Sequence, residues 1–557
     1  MSSSPKSRRR WQEVVRFADL LTRAAERDPG GEALVFPYAR LTYSELEERA
    51  FAFARSLLAL GVRPGSRVGI LMHNCPEFVE LLFATSLLGA VMVPINARFA
   101  PRELGYVVEN SDLEVLFTTD AVVEHVDYVS RIHAALPSTA SLPPSERLDL
   151  AEAPNLRAIV LFGDRRPPGM LRAGEFTALA TEHSEDAVLR CHARTSVRSV
   201  ALMMYTSGTT AMPKGCLLSH EALVRTGVVA GRTKFRVTPS DRFWDPLPMF
   251  HMSFFLPMVA VFDAGAAFLS MTHFDADAAL RMLDEERATI SFATFPAITQ
   301  ALLNHPAYHA DRWRGIRIVN NVAPPDTLRE MQARMPHSVQ ISAYGLTECG
   351  GVVALGDPED TLEQRCGTCG IPFDGIELEV RDLETGARVA AGVPGEIVVR
   401  GYSVFDGYHK DPVRTAEALD PDGWFRTGDI GTLTPEGRIS YLGRTKDMLK
   451  VGGENVAAIE IESYLSTHPA VSIVAVVGVP DPKYMEVAAA FVELRPGVEC
   501  SAEELIEFCR RGLARFKVPR HVRFVEEWPM SATKIQKFRL AEQLRAELLE
   551  AREAQVA

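Results

Sequence analysis

The chain contains no run of about eighteen or more uncharged apolar residues, so no membrane-spanning helix is expected. Its only basic cluster, Lys6-Ser-Arg-Arg-Arg10, sits in a Ser-rich opening that lacks the apolar core of a signal peptide. Cysteine is sparse, with eight residues scattered at 75, 191, 216, 349, 366, 369, 500 and 509. That usage excludes a disulfide framework and points to a reducing cytoplasm. Cys366-Gly-Thr-Cys369 is the one close pair, and no second pair or histidines stand at zinc-site spacing from it. Positive charge is in deficit: the formal net charge of -12 argues against a nucleic-acid partner, which needs a basic face. Neither an internal repeat nor a sustained heptad is present.

At 557 residues the chain exceeds what one hydrophobic core organises, so two or more domains are expected. Apolar residues make up 47% and charged residues 24%, the balance of a soluble globular enzyme. Residues 40–120 alternate helical patterns with short β-branched runs, the rhythm of a layered α/β architecture with a mostly parallel sheet. Residues 134–155, rich in Pro, Ser and Ala, read as a surface excursion, and the α/β rhythm then resumes from Ser199 to about residue 345. From Gly375 to Gly443 short β-type runs punctuated by Gly and Pro predict a compact β subdomain. Beyond Arg444 the order helix, strand, strand, helix, strand predicts a small α+β unit of ordinary domain size. The expected division is therefore an N-terminal domain, 1–446, and a small mobile C-terminal domain, 447–557.

The densest cluster of chemistry is Tyr205-Thr-Ser-Gly-Thr-Thr-Ala-Met-Pro-Lys-Gly215. It follows the apolar run Ala201-Leu-Met-Met204, which reads as a buried strand, and a helical segment opens at Ser219. Strand, polar loop and helix form a place where N–H groups and hydroxyls can surround phosphate oxygens, with Lys214 as a mobile cation. The spacing is not that of the P-loop, because Gly208 lies six residues before Lys214 and Gly215 follows it. On residue types alone the cluster reads equally as a Ser/Thr-rich surface turn.

The same run resembles the signature loop of the adenylate-forming superfamily, T-S-G-T-T-G-x-P-K-G. This superfamily comprises acyl-CoA synthetases, luciferases and peptide-synthetase adenylation domains. The match holds at Thr206, Ser207, Gly208, Thr209, Thr210, Pro213, Lys214 and Gly215, and fails at Ala211. Further runs resemble the superfamily's motifs in order: Tyr344-Gly-Leu-Thr-Glu348, Gly423-Trp-Phe-Arg-Thr-Gly-Asp429, Gly443-Arg-Thr-Lys-Asp447, Lys450-Val-Gly-Gly-Glu-Asn455 and Lys534-Ile-Gln-Lys-Phe538. The resemblance extends from about residue 20 to 545 and implies ATP, magnesium and coenzyme A as co-substrates.

It also implies roles for individual residues. Forming an acyl adenylate brings two anions together, so charge must be neutralised and the attack aligned. Thr206 to Thr210 with Lys214 would hold the β- and γ-phosphates. Glu348 would supply a hard oxygen ligand for magnesium, and Thr347 would reach phosphate. Ala343, Tyr344 and Gly345 would offer one face for adenine, and Val322-Ala323-Pro324 the other, with Val322 in place of the usual Gly. Asp429 would accept the ribose hydroxyls, and Arg444 would contact the same sugar. Lys534 would reach the α-phosphate and carboxylate, although its run Met530-Ser-Ala-Thr-Lys534 lacks the glycine that usually precedes this lysine. Lys446 would be the hinge between two poses, one presenting Lys534 and the other presenting Lys450, Gly452 and Gly453 on the coenzyme A side. His251 would polarise the acyl carboxylate or gate the pantetheine path.

The acyl pocket is expected from parts of 250–258, 293–297 and 344–353, with Phe254, Phe255 and Met258 as apolar walls. No charged residue in 250–258 would anchor an amino group, which disfavours amino-acid substrates. A medium- to long-chain fatty acid comes first, then a bulky cyclic acid of the steroid or bile type, then carnitine-type acids. Only twenty-three residues follow Lys534, so coenzyme A is favoured as acceptor over an appended carrier domain. The alternatives are a ligase loading a separate carrier protein and a non-catalytic nucleotide- or acyl-binding homologue. The expected partners are small molecules, without nucleic acid or membrane span, and a homodimer is allowed.

Overall fold

The structure, a computed structural model, describes residues 15–144, 147–206, 212–445, 448–451, 454–481, 484–531 and 534–556. The chain packs as two compact units, one of residues 1–377 with 399–425 and the other of 378–398 with 426–557.

In the first unit, short apolar runs become the strands of two large sheets. One runs in the order Gly407–Tyr408, Lys214–Ser219, Val200–Thr206, Val91–Pro94, Arg67–Leu71, Val115–Thr119, Ala158–Phe162, Leu171–Arg172. From Val200–Thr206 onward every pairing is parallel, while Lys214–Ser219 is antiparallel to both of its neighbours. The near-continuous burial of these runs is what a sheet covered on both faces requires. The second sheet is ordered Val339–Ile341, Ile318–Asn321, Ile290–Thr294, Arg242–Trp244, Ala267–Leu269, Glu32–Phe36, Ala39–Thr42. All its pairings are parallel except the last. Helices start where the sequence supplies caps: Thr42 and Glu45 cap helix Tyr43–Ala59 reciprocally, and Ser219 accepts from the Ala222 N–H.

The helix Phe17–Arg27 is fastened by charge as well as by its apolar face. Asp19 Oδ1 lies 2.7 Å from His192 Nε2 and its Oδ2 accepts from Arg16 Nε at 2.9 Å. Burial raises the Asp19 carboxyl, but the hydrogen bonds from His192 and Arg16 outweigh it and hold the group below its ordinary 3.8. A depressed carboxyl contributes stability above the unfolded-state value, and loses it as pH falls toward the folded-state value. Asp19→Asn is therefore expected to lower unfolding stability by about 1–2 kcal/mol at pH 7. The difference from wild type should shrink steadily below pH 3.8, measured by urea titration at stepped pH.

The second unit carries most of a four-stranded sheet, Ile376–Arg381, Gly395–Gly401, Phe425–Leu433 and Ile439–Arg444. Next to it in sequence comes a sheet built on the long antiparallel pair Val471–Asp481 and Met485–Leu494. Met448–Val451 and Glu454–Ala457 extend it on one side, and His521–Phe524 pairs parallel to Met485–Leu494. Helices Ala458–Ser466 and Ala502–Gly512 cover a core that includes Leu449, Ile461, Leu465, Val476, Leu505 and Cys509. The predicted α+β order is present, with Glu454–Ala457 a strand ahead of the helix. A short hairpin, Met530–Ser531 with Lys534–Ile535, precedes the final helix Lys537–Val556.

Candidate active site

The loop after Val200–Thr206 does not lead into a helix. A strand, Lys214–Ser219, intervenes and pairs back antiparallel, so Thr206 and Lys214 face each other across a β-hairpin. This corrects the expected strand–loop–helix cradle. Gly215, Cys216, Leu218 and Ser219 are buried as 214–219 joins the sheet, and the helix begins only at His220. Ser207, Gly208, Thr209 and Thr210, with Ala211, lie outside the described residues.

From its register position Lys214 places its Nζ 4.0 Å from the centroid of the Tyr408 ring. Tyr408 belongs to the edge strand Gly407–Tyr408, where it pairs with Cys216. Its phenol donates to Glu348 Oε1 at 3.0 Å. Burial, and then the Glu348 charge, push the phenol well above its ordinary value, so it stays a donor. Burial likewise pushes the Cys216 thiol up, with Glu348 adding to it. The loop cation and the Glu348 carboxylate thus share one patch through a single aromatic residue.

Glu348 and Thr347 lie in the one-turn helix Thr347–Cys349, inside a tight loop. Val353 N–H donates to Tyr344 O, and Gly351 N–H to Leu346 O. A Cβ at Gly345 would stand 2.0 Å from the Gly351 carbonyl oxygen, so only glycine allows this closure. Gly350 takes a φ of +70° that ends the turn. Ala343 and Tyr344 form the strand before it, and the Tyr344 side chain is buried.

The Val322-Ala323-Pro324 turn follows strand Ile318–Asn321, whose neighbour Val339–Ile341 runs parallel with Asn320 opposite Ile341. Both strands leave the sheet at their carboxyl ends toward 322–324 and 343–345, the usual position of ligands in parallel sheets. Val322 is 41% exposed, and its N–H donates to Thr294 O. Thr294 is held at φ +52° while its hydroxyl donates to Asn320 Oδ1. Behind the turn, Asn321 accepts from the Thr299 hydroxyl at 2.6 Å and donates to Gln340 Oε1 at 2.9 Å. This buried network fixes the turn, because each member would be costly without its partner.

His251 is half-buried at the N-cap of helix Met252–Ala264, with its ring 4.8 Å from that of Phe250. The apolar walls expected from this helix are corrected. Phe254 packs edge-on against Phe78 and Phe268, Phe255 against Phe17, and Met258 is fully buried. A helix apolar on every face is buried on every face. Met252, by contrast, brings its Cε within 3.4 Å of a Cβ position at Gly351, at the Glu348 loop.

In the second unit, Asp429 and Arg444 are register partners, and Arg444 Nε lies 3.0 Å from the buried Asp429 Oδ1. Lys450 lies in strand Met448–Val451, and Lys534 opens the second strand of the hairpin with Ser531 opposite. Lys537, three residues on, is engaged elsewhere: its Nζ is 2.7 Å from Glu462 Oε1, which also accepts from the Val476 N–H. Lys446, Gly452 and Gly453 lie outside the described residues.

Comparison with known proteins decides what this constellation belongs to. The family profile for the AMP-binding enzyme matches residues 21–409, and that for the AMP-binding enzyme C-terminal domain matches 460–534. The chain belongs to the AMP-binding enzyme family. A putative acyl-CoA synthetase, YngI of Bacillus subtilis, is 32% identical over 94% of this chain and 96% of its own length. The mitochondrial medium-chain acyl-CoA ligase ACSF2 of Rattus norvegicus is 32% identical over 95% of this chain and 88% of its own. ATP-bound MatB from Rhodopseudomonas palustris superposes with a TM-score of 0.81 at 27% identity, covering 95% of this chain and 99% of that one.

Membership places this AMP-binding enzyme in the acyl-CoA synthetase branch of the adenylate-forming superfamily and makes it an AMP-forming acid–thiol ligase. Two parts of the site had no signature in the sequence. Tyr408 stands 60 residues from Glu348, with no spacing rule to join them. The buried amides of Asn320, Asn321 and Gln340 carry only one cue, an Asn pair closing an apolar strand just before the Val-Ala-Pro turn.

Proposed function

We propose that the protein activates a medium- to long-chain fatty acid with ATP and transfers it to coenzyme A. The observation that carries this reading is the Lys214–Tyr408–Glu348 patch. It brings a phosphate-reaching ammonium and a metal-binding carboxylate to one place, on the hairpin and loop that hold the family's motifs. In the first step a carboxylate oxygen attacks the α-phosphorus of ATP and pyrophosphate leaves. In the second the thiol of coenzyme A attacks the acyl carbonyl and AMP leaves.

Lys214 and the Thr206–Thr210 loop steady the β- and γ-phosphates, with Thr347 beside them. Ala343, Tyr344, Gly345 and the Val322–Pro324 turn hold adenine, and Asp429 with Arg444 holds the ribose. Lys534 neutralises the α-phosphate and the incoming carboxylate, and His251 orients that carboxylate. Among the described residues, no group of three or more His, Cys, Asp or Glu side chains is arranged to hold a metal ion. One carboxylate with an oxygen beyond its bond to Tyr408 suits magnesium, which keeps waters and takes its other oxygens from phosphates. Glu348 would hold magnesium there, and the ion would supply neutralisation of phosphate charge.

The curated relatives named for medium-chain ligation support the shorter end of the acyl range. The free state of all eight cysteines supports a reducing compartment such as the cytoplasm. The test is pyrophosphate release with fatty acids of graded length and with cyclic steroid-type acids, with and without coenzyme A. Release with a medium-chain acid and formation of its thioester are expected. Preference for the cyclic acids would move the substrate class, and adenylate that forms but passes only to a carrier protein would move the acceptor. No release with any acid would leave the non-catalytic reading.

We also propose Lys446 as the hinge at the boundary of 1–446 and 447–557, with Lys450, Gly452 and Gly453 serving the thioester step. A hinge residue absorbs torsion change rather than touching substrate. Lys446→Pro fixes φ near -65° and is expected to suppress one half-reaction by about tenfold or more while sparing the other. Equal retention of both in single-turnover assays would count against alternation.

A further inference from the structure

Tyr408 has a place in this site that neither its sequence position nor the family's nucleotide motifs assign. Its backbone is pinned from two sides. The flanking Asp406 and His409 N–H groups donate to Leu217 O and Gly215 O, both at 2.8 Å, and its own N–H donates to the Thr415 hydroxyl at 2.9 Å. The ring therefore cannot drift relative to strand Lys214–Ser219. One face of that fixed ring lies under the Lys214 ammonium, and its hydroxyl ends on the Glu348 carboxylate. The second anchor of Glu348 is its own carbonyl, which accepts from the Phe405 N–H at 2.9 Å, three residues before Tyr408. Segment 405–408 thus grips the Glu348 turn by main chain and by side chain, and the phosphate-loop lysine by its aromatic face.

We propose that Tyr408 is a positioning residue that presets Glu348 and Lys214 as one unit. The phenol holds one carboxylate oxygen and so fixes the orientation in which the carboxylate would meet a metal, and the ring keeps the ammonium beside them. The two contacts act on different ligands. The hydrogen bond to the carboxylate bears on metal binding, and the cation–π contact bears on phosphate binding. The inference rests on the ligase reading above, and the measurements below separate the two.

Mn2+ binding in the presence of a non-hydrolysable ATP analogue is followed by electron paramagnetic resonance, and inorganic pyrophosphate binding without metal by calorimetry. Tyr408→Phe keeps the ring and removes the hydroxyl. It is expected to weaken Mn2+ binding by about tenfold and to leave metal-free pyrophosphate binding unchanged. Tyr408→Leu removes both contacts and is expected to weaken pyrophosphate binding by about threefold as well. In a Glu348→Gln background the Tyr408→Phe effect on Mn2+ should disappear, because the hydroxyl acts only through that carboxylate. A purely structural tyrosine would instead weaken both ligands together in Tyr408→Phe, or add its effect to that of Glu348→Gln. Wild-type protein that binds the nucleotide with Mn2+, alongside Tyr408→Phe that binds it equally well, overturns the positioning role alone. Wild-type protein that binds neither nucleotide nor pyrophosphate overturns the ligase reading and this one together.

Discussion

Replacing Lys534 by alanine is expected to reduce acyl-adenylate formation by about 10²- to 10³-fold, the usual cost of removing one donor aimed at developing charge. Thioester formation from supplied acyl adenylate should stay within a few-fold of wild type. The asymmetry follows from the chemistry. Only the first step drives a carboxylate onto a phosphate, and only there does an added cation cancel repulsion between reactants. Lys537, three residues on, is separable on structural grounds, since its ammonium is tied to Glu462 and through it to strand Val471–Asp481. Lys537→Ala should therefore lower the melting temperature and leave both half-reactions nearly intact. Single-turnover measurement of each half-reaction in both variants settles the assignment, and equal loss of both steps in Lys534→Ala would refute it.

Asp429→Asn is expected to raise the KM for ATP by about 30- to 100-fold with kcat changed much less. Hydrogen bonds to a charged acceptor contribute roughly 1.5–3 kcal/mol, and the ribose hydroxyls take no part in the bonds made and broken at the α-phosphorus. An interaction made equally in ground and transition states appears in KM. Asp429 is buried and paired with Arg444 across the same strands, so the substitution also weakens that pairing. The readout must therefore include an ATP analogue lacking the ribose hydroxyls. Wild type should discriminate strongly against it, and Asp429→Asn should not. A variant that still discriminates as wild type does would remove Asp429 from the ribose site.

Much of the architecture was legible because its signals are periodic. Three strands of the C-terminal sheet, Val471–Asp481, Met485–Leu494 and His521–Phe524, read from their apolar runs, whereas Met448–Val451 and Glu454–Ala457 did not. The family resemblance singled out Glu348, Asp429 and Arg444, and the sheet makes the last two register partners. What escaped has no local signature. Lys214–Ser219 is short, and a six-residue run beside a Gly/Ser/Thr cluster is as compatible with loop as with strand. Phe254 and Phe255 read as acyl walls from their apolar character alone, which does not say which face of a helix meets a cavity. The amides at 320, 321 and 340 make sense only once three strands lie side by side.

The hairpin that carries Lys214 has an implication for how such enzymes change over time. Side chains along a strand alternate between faces, so losing or gaining one residue between Lys214 and Cys216 would turn them to opposite sides of the sheet. Point changes within 207–213 leave those anchors in step. The register of strand Lys214–Ser219 is thus as much a condition of the site as the lysine it carries.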